Sequence, residues 1–254
     1  MAATRSVVIR SAVAVALPLI AYLLMVPALA GRGQTAALVR ATSGDLPIIL
    51  TAPHGGSEAI PGVSPRTLGV TTQDARTLEL AEAVGQRLEA RFCQRPYLVG
   101  ALFHRRYADA NRTERDAYQD PAAGLHYKGY HDTIRSHIDE VRQRFPGEAI
   151  LIDVHGQAEE PGIIHRGTGN GRTMERIIAS FGDGALIGAT SIFGRLQELG
   201  YPVFPANTPI GNPGEHPSYD GGFTVRTYGS HQTNGIDAMQ IEVGADFRRP
   251  TALA

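Results

Sequence analysis

The sequence predicts one α/β domain, and three observations carry that expectation. Short apolar runs alternate with helical stretches from Leu46 to Val243. No repeat and no low-complexity linker interrupts Gly31 to Ala254. The composition is that of an ordinary globular chain: 254 residues, 43% hydrophobic, 19% charged, net charge −1. That near-neutral charge argues against nucleic acid as a main partner, since such binding needs a basic surface. The single cysteine, Cys93, excludes an intrachain disulfide and a multi-cysteine zinc site. Nine histidines remain as soft ligands, and all but Lys128 of the 24 basic residues are arginine.

The elements follow in order. Leu46 to Ala52 reads as a buried strand. Thr77 to Phe92 reads as a helix, with Leu78, Ala81, Val84 and Leu88 on one face and Glu79, Glu82 and Glu89 elsewhere. Pro96 to Leu102 is a strand. Gly129 to Phe145 is a second helix, stopped by Pro146-Gly147. Ala149 to Val154 is a strand, Gly171 to Phe181 and Ala189 to Leu199 are helices, and Tyr201 to Pro205 is a short strand. Ile236 to Val243 is the last strand, with Gln240 and Glu242 on one face and Met239, Ile241 and Val243 on the other. Between them, Ala206 to Gly235 is rich in Gly, Pro, Asn and Thr. A loop of that length is usually functional or disordered.

The first thirty residues differ in kind. Arg5 and Arg10 precede an uncharged run from Ala12 to Val26, and Pro27-Ala28-Leu29-Ala30 follows. This is the layout of a secretory signal. Cleavage after Ala30 leaves 224 residues and moves the net charge from −1 to −3. The alternative is an uncleaved anchor, because Ser11 to Ala30 is long enough to span a bilayer. The expectation is therefore a signal peptide over 1–30 and an exported domain over 31–254, periplasmic or extracellular, off the membrane once the signal is cleaved.

The chemistry collects at strand ends. His54 directly follows the first strand, and His155 directly follows Ile150-Leu151-Ile152-Asp153-Val154. In open α/β sheets the ligand crevice lies outside the carboxyl ends of the strands. If the two strands are neighbours, both imidazoles enter one crevice. Gly55-Gly56 and Gly156 follow them and allow close backbone approach. Two such histidines point to a metal, and a carboxylate third ligand leaves a position open for water. Glu58 and Asp74 are the candidates. Asp153 reads as a partner that orients His155, or as a buried structural acid. In Asp109-Ala110-Asn111-Arg112, the Asn111-Arg112 pair can hold a carboxylate, or form a surface turn. Arg226 is a second candidate cation. Glu242, inside an apolar strand, is costly unless paired or open to a cleft. It reads as a general base or as half of a buried salt bridge.

Taken in order, Pro53-His54-Gly55-Gly56 with Ile60-Pro61, Asp109-Ala110-Asn111-Arg112, Tyr130-His131, Asp153-Val154-His155-Gly156, Gly221-Gly222-Phe223-Thr224-Val225-Arg226-Thr227-Tyr228-Gly229 and Gln240-Ile241-Glu242 resemble the N-formylglutamate amidohydrolase family. The resemblance runs from His54 to Glu242. It extends more distantly to the zinc carboxypeptidases and poly-γ-glutamate hydrolases. One departure is that the family's common His-Ser pair is His155-Gly156 here.

The resemblance implies a three-layer αβα domain with a mixed central sheet. It implies one zinc ion on His54, Asp74 and His155, with Asp74 preferred to Glu58. It implies Glu242 as general base and Arg112 as a catalytic or carboxylate-anchoring cation. Asn111, Arg112, Arg226 and His131 are the implied substrate-binding residues. The expected activity is hydrolysis of an amide bond in an N-acyl amino acid, γ-glutamyl or related carboxylate-bearing substrate. Two alternatives stand beside it: a carboxypeptidase acting on peptides or peptidoglycan stems, and a non-catalytic secreted module that binds metal or carboxylate.

Overall fold

The computed structural model describes residues 36–207 and 214–250. The signal-peptide expectation over 1–30 lies outside the described residues. Among the described residues there are seven strands: β1 Val39–Thr42, β2 Ile48–Ala52, β3 Tyr97–Ala101, β4 Ile150–Gln157, β5 Ile164–Gly167, β6 Val203–Phe204 and β7 Asp237–Gly244. They form one mixed sheet in the order β1-β3-β2-β4-β7-β5-β6. Strands β3, β2, β4 and β7 are parallel, whereas β1 and β5 run antiparallel to β3 and β7.

The helices are α1 Thr77–Phe92, α2 Glu114–Ala117, α3 Gly124–Arg144, α4 Glu175–Phe181, α5 Gly184–Ile187, α6 Ile192–Glu198 and α7 Phe223–Tyr228. Side chains alternate across a strand, and the core splits accordingly. Ile49, Val99 and Leu151 pack with Tyr130, Ile134 and Ile138 of α3 and with Val225 and Tyr228 of α7. Leu50, Ala52 and Leu98 pack with Leu78 and Ala81 of α1 on the other face. Met239 and Val243 cover that second face further along, against Phe193 of α6 and Leu186 of α5. The fold is thus α/β, a seven-stranded mixed sheet with helices on both faces.

Several elements differ from expectation. Helix α3 begins at Gly124, five residues earlier than the sequence suggests, preceded by a short 3-10 turn at Pro121–Ala123 whose start Asp120 caps. Val84 of α1 is exposed at 37%, so the buried stripe of that helix stops at Ala81. Segment 206–235 is not wholly irregular, because it contains α7. Among the described residues no single helix is long and apolar enough to cross a membrane.

The sheet order makes β2 and β4 parallel neighbours, with Thr51 opposite Asp153. Strand β7 lies on the other side of β4, with His155 opposite Glu242. Residues in register share a face. Asp153, His155, Gln240 and Glu242 therefore project from the α3/α7 face of the sheet, at the carboxyl end of the central strands.

Candidate metal centre

His54 leaves the end of β2, and the chain there runs tight against α1 and β3. A Cβ on Gly55 would lie 2.4 Å from the backbone nitrogen of Leu78, so no larger residue fits without moving the helix. The backbone N–H of Asp74 donates to the His54 carbonyl at 3.2 Å, and the Asp74 carbonyl accepts from the backbone and hydroxyl of Thr77, which opens α1. The loop between strand and helix is thereby closed on itself, and Asp74 faces both histidines.

His54, Asp74 and His155 are all buried, and their ligand atoms lie within 4.8 Å of one another. Oδ2 of Asp74 is 3.2 Å from Nδ1 of His54 and 3.1 Å from Nδ1 of His155. The far nitrogen of each imidazole meets a second buried carboxylate. Nε2 of His54 is 2.7 Å from Oδ1 of Asp109, and Nε2 of His155 is 3.0 Å from Oδ2 of Asp153. Ionised carboxylates only accept. Each outer carboxylate therefore fixes a proton on Nε2 and turns Nδ1 inward, the arrangement that orients metal-binding histidines.

These residues fit a divalent ion. Two nitrogens and one oxygen form a set that zinc accepts while leaving a coordination position open. Bonds of about 2.1 Å at tetrahedral angles place donor atoms roughly 3.4 Å apart, close to the 3.1 and 3.2 Å separations seen here. Glu58, the rival ligand, is exposed, and its backbone pairs with the chain around Phe103.

The electrostatics point the same way. Burial opposes ionisation of Asp74, but the His54 charge and the bonds from both imidazoles outweigh it and hold the carboxyl well below the usual range. Asp109 is likewise buried, and His54 with Arg105 holds it low. Burial opposes a charge on His155, yet the Asp153 carboxylate and the bond to Asp74 raise it well above its ordinary value. The proton on the inner nitrogen of His155 thus occupies the place a cation would take, and loading a metal releases it.

The centre opens into a cleft of about 480 Å³ lined by Arg105, Arg112, Tyr219, Gln240, Glu242 and Arg248 among others. Oε1 of Glu242 is 3.9 Å from Nδ1 of His155 and accepts from Nε2 of Gln240 at 2.9 Å. Burial, the largest influence, pushes its carboxyl upward. Gln240 also accepts from the backbone N–H of Gly222 at 2.6 Å, which ties the start of α7 to the acid. The exposed guanidinium of Arg112 lines the cleft and donates to the Asn111 carbonyl at 2.8 Å.

Of the expected substrate contacts, Asn111 lines the cleft, whereas His131 and Arg226 do not. The amide oxygen of Asn111 accepts from the backbone and hydroxyl of Thr224 at 2.8 and 3.1 Å, while its Nδ2 sits 3.2 Å from Nε2 of His155. Asn111 is thus tied to α7 and packs beside His155, and its side chain lines the cleft wall. His131 is buried between the Ala110 carbonyl and the Tyr228 hydroxyl, ringed by Tyr127, Tyr130 and Phe223. Arg226 points outward and pairs with Asp220 at 2.8 Å, 55% exposed. Thr224 and Tyr228, four residues apart, form the inward face of α7, so Arg226 between them turns away.

Reading the sequence did not anticipate Asp109 as the partner of His54, nor the buried arginines. Arg105 donates through Nε to Asp109 at 2.9 Å and lies 3.5 Å from Asp74. Arg248, just after β7, bonds the carbonyls of Val243, Gln157 and Ala75. The only prior sign of these roles was the crowding of charged residues around Asp109.

An α/β sheet with a buried two-histidine, one-carboxylate centre at the carboxyl edge of its parallel strands is the architecture of the chain. Its fold is shared with solved proteins. An N-formylglutamate amidohydrolase from Ralstonia eutropha JMP134 superposes with a TM-score of 0.58 at 17% identity, covering 85% of this chain and 92% of that one. A gene product of Agrobacterium tumefaciens superposes at 0.51 with 20% identity, covering 86% and 90%. The family resemblance carried by the motifs is therefore matched by a likeness of fold. No protein-family model matches the sequence, and no curated protein does.

Proposed function

We propose that the chain is a zinc-dependent hydrolase of C–N amide bonds, acting on a small or peptide-like substrate that carries a carboxylate. The observation that supports it most is the convergence of His54, Asp74 and His155, with Asp109 and Asp153 fixing the far nitrogen of each imidazole. His54, Asp74 and His155 hold the one ion expected. When bound, zinc supplies a Lewis acid that polarises a carbonyl and acidifies water to a pKa of about 7.

The protein's own groups do the rest. Glu242, at the mouth of the centre and held by Gln240, takes a proton from the attacking water and delivers it to the leaving nitrogen. Arg112 presents a guanidinium to the cleft, where it anchors the substrate carboxylate or steadies charge on the carbonyl oxygen.

We also propose that the protein is exported, on the strength of the signal-like residues 1–30. N-terminal sequencing of the exported protein should begin at Gly31, and a start at Met1 would overturn cleavage.

The activity is tested with a panel of N-acyl amino acids, γ-glutamyl compounds and peptides. Glu242→Gln should lower kcat by about 10²–10⁴-fold while zinc content stays at the wild-type level. Wild-type turnover in that variant would remove Glu242 from the chemistry.

A further inference from the structure

Arg248 is 6% exposed, and its guanidinium bonds backbone carbonyls. The three acceptors belong to three separate segments. Nε donates to the Val243 carbonyl at 3.0 Å, Nη2 to the Gln157 carbonyl at 3.1 Å and Nη1 to the Ala75 carbonyl. Each acceptor adjoins a group of the centre. Ala75 follows the ligand Asp74, Gln157 stands two residues after the ligand His155, and Val243 follows Glu242.

Further contacts bring the side chain up to the centre itself. A Cβ on Gly156 would lie 2.6 Å from Nε and 2.8 Å from Nη1 of Arg248, so the guanidinium packs on bare backbone there. The N–H of that same glycine donates to Oδ2 of Asp74 at 3.3 Å. The Arg248 side chain also lines the cleft. Burial is the main influence that lowers its pKa, and the Asp74 and Glu242 carboxylates oppose it, so both acids lie within its field.

An arginine that only closed the 3-10 turn Ala245–Arg248 would need the Val243 carbonyl alone. The bonds to Gln157 and Ala75 require another account. A guanidinium is planar, with its N–H groups at fixed angles. Bonded to three backbones at once, it fixes how far apart they stand. The ammonium of a lysine, on a flexible stem, imposes no such angles.

We infer that Arg248 is a positioning residue of the centre, setting the separation between the ligands Asp74 and His155 and the base Glu242. It acts on metal affinity and on turnover through those three groups. The inference rests on the amide-hydrolase reading for turnover alone. The sign of the zinc effect separates positioning from charge. By itself, removing a cation from beside the centre tightens zinc binding, because like charges repel. Loosening the ligands weakens it.

The test is zinc competition against a fluorescent chelator, on the full chain and on Arg248→Ala and Arg248→Lys. Zinc affinity should fall about 10–100-fold in Arg248→Ala and severalfold in Arg248→Lys, which keeps the charge and carries the test if Arg248→Ala does not fold. The visible absorption of the cobalt-loaded chain should change in both variants. On any amide that the wild-type chain hydrolyses, kcat should fall about 100-fold in Arg248→Ala, with KM within threefold. Tighter zinc in Arg248→Ala, or wild-type zinc affinity and cobalt absorption in Arg248→Lys, would overturn the positioning role. If the wild-type chain hydrolyses no amide, the hydrolase reading fails, and the zinc and cobalt measurements still decide the role of Arg248.

Discussion

Asp109→Asn is the substitution that isolates the outer carboxylate. The side chain is 1% exposed and receives three donors: Nε2 of His54 at 2.7 Å, Nε of Arg105 at 2.9 Å and the backbone N–H of Asn111 at 2.9 Å. Asparagine keeps the shape and one accepting oxygen but removes the charge. His54 then loses the partner that fixes its tautomer. Changes of this kind typically lower metal affinity about 10–100-fold, or roughly 1.4–2.7 kcal/mol. The metal-free protein also suffers, because Arg105 is left facing a neutral amide. Removing one partner of a buried pair costs about 3–5 kcal/mol. The remaining contact of Arg105 with Asp74 at 3.5 Å places this case toward the lower end. Zinc competition against a fluorescent chelator gives the affinity, and urea unfolding of the metal-free chain gives the stability. Zinc affinity within twofold of wild type would refute the role assigned to Asp109.

Two further predictions follow from contacts outside the ligand set. A Cβ at position 156 would lie 2.4 Å from Cζ of Arg248, whose guanidinium is anchored on backbone carbonyls. Gly156→Ala should therefore cost about 1–3 kcal/mol in urea unfolding, and under about 0.5 kcal/mol in an Arg248→Ala background; additive costs would contradict that contact. Burial is the main cause that lowers the pKa of His131 from 6.5 to about 4. The unfolded chain then binds this proton first as the pH falls, so the stability it contributes is full above about 6.5 and is lost down to about 4. Between pH 7 and pH 5 the loss is about 2 kcal/mol. His131→Phe should shrink the pH dependence of the urea midpoint over that window by about this amount, and an unchanged dependence would show that His131 does not titrate as its burial requires.

Much of the architecture was legible because hydrophobic runs and periodicity are local. Strands β2, β3, β4 and β7 and helix α1 fall within a few residues of the expected spans. Strands β1 and β5 escaped notice for a physical reason. Val39–Thr42 is a four-residue edge strand with exposed Arg40 and Ala41. Ile164-His165-Arg166-Gly167 is buried but polar, and Arg166 is satisfied by Glu215, 49 residues away. Such pairing leaves no trace in a short window.

The centre was legible in the same measure. His54 and His155 announce themselves by standing at strand ends, and the sheet order brings them together. Asp74 required the resemblance, since spacing alone left it level with Glu58. Asp109 stood in a motif whose Asn-Arg pair suggested carboxylate binding, while its own role depends on a partner 55 residues earlier. Arg226 and His131 carry the motif without lining the cleft. The inward face of α7 and the aromatic cage around His131 are tertiary facts that a linear pattern does not encode.

The account rests on a divalent ion held by His54, Asp74 and His155, so titration of zinc into the metal-free, folded full chain tests it most directly. Calorimetry should give one ion per chain with release of protons, and His54→Ala, Asp74→Ala and His155→Ala should each weaken or abolish that binding. A folded chain that takes up no zinc, or one that binds it equally well in all three variants, would contradict the central claim.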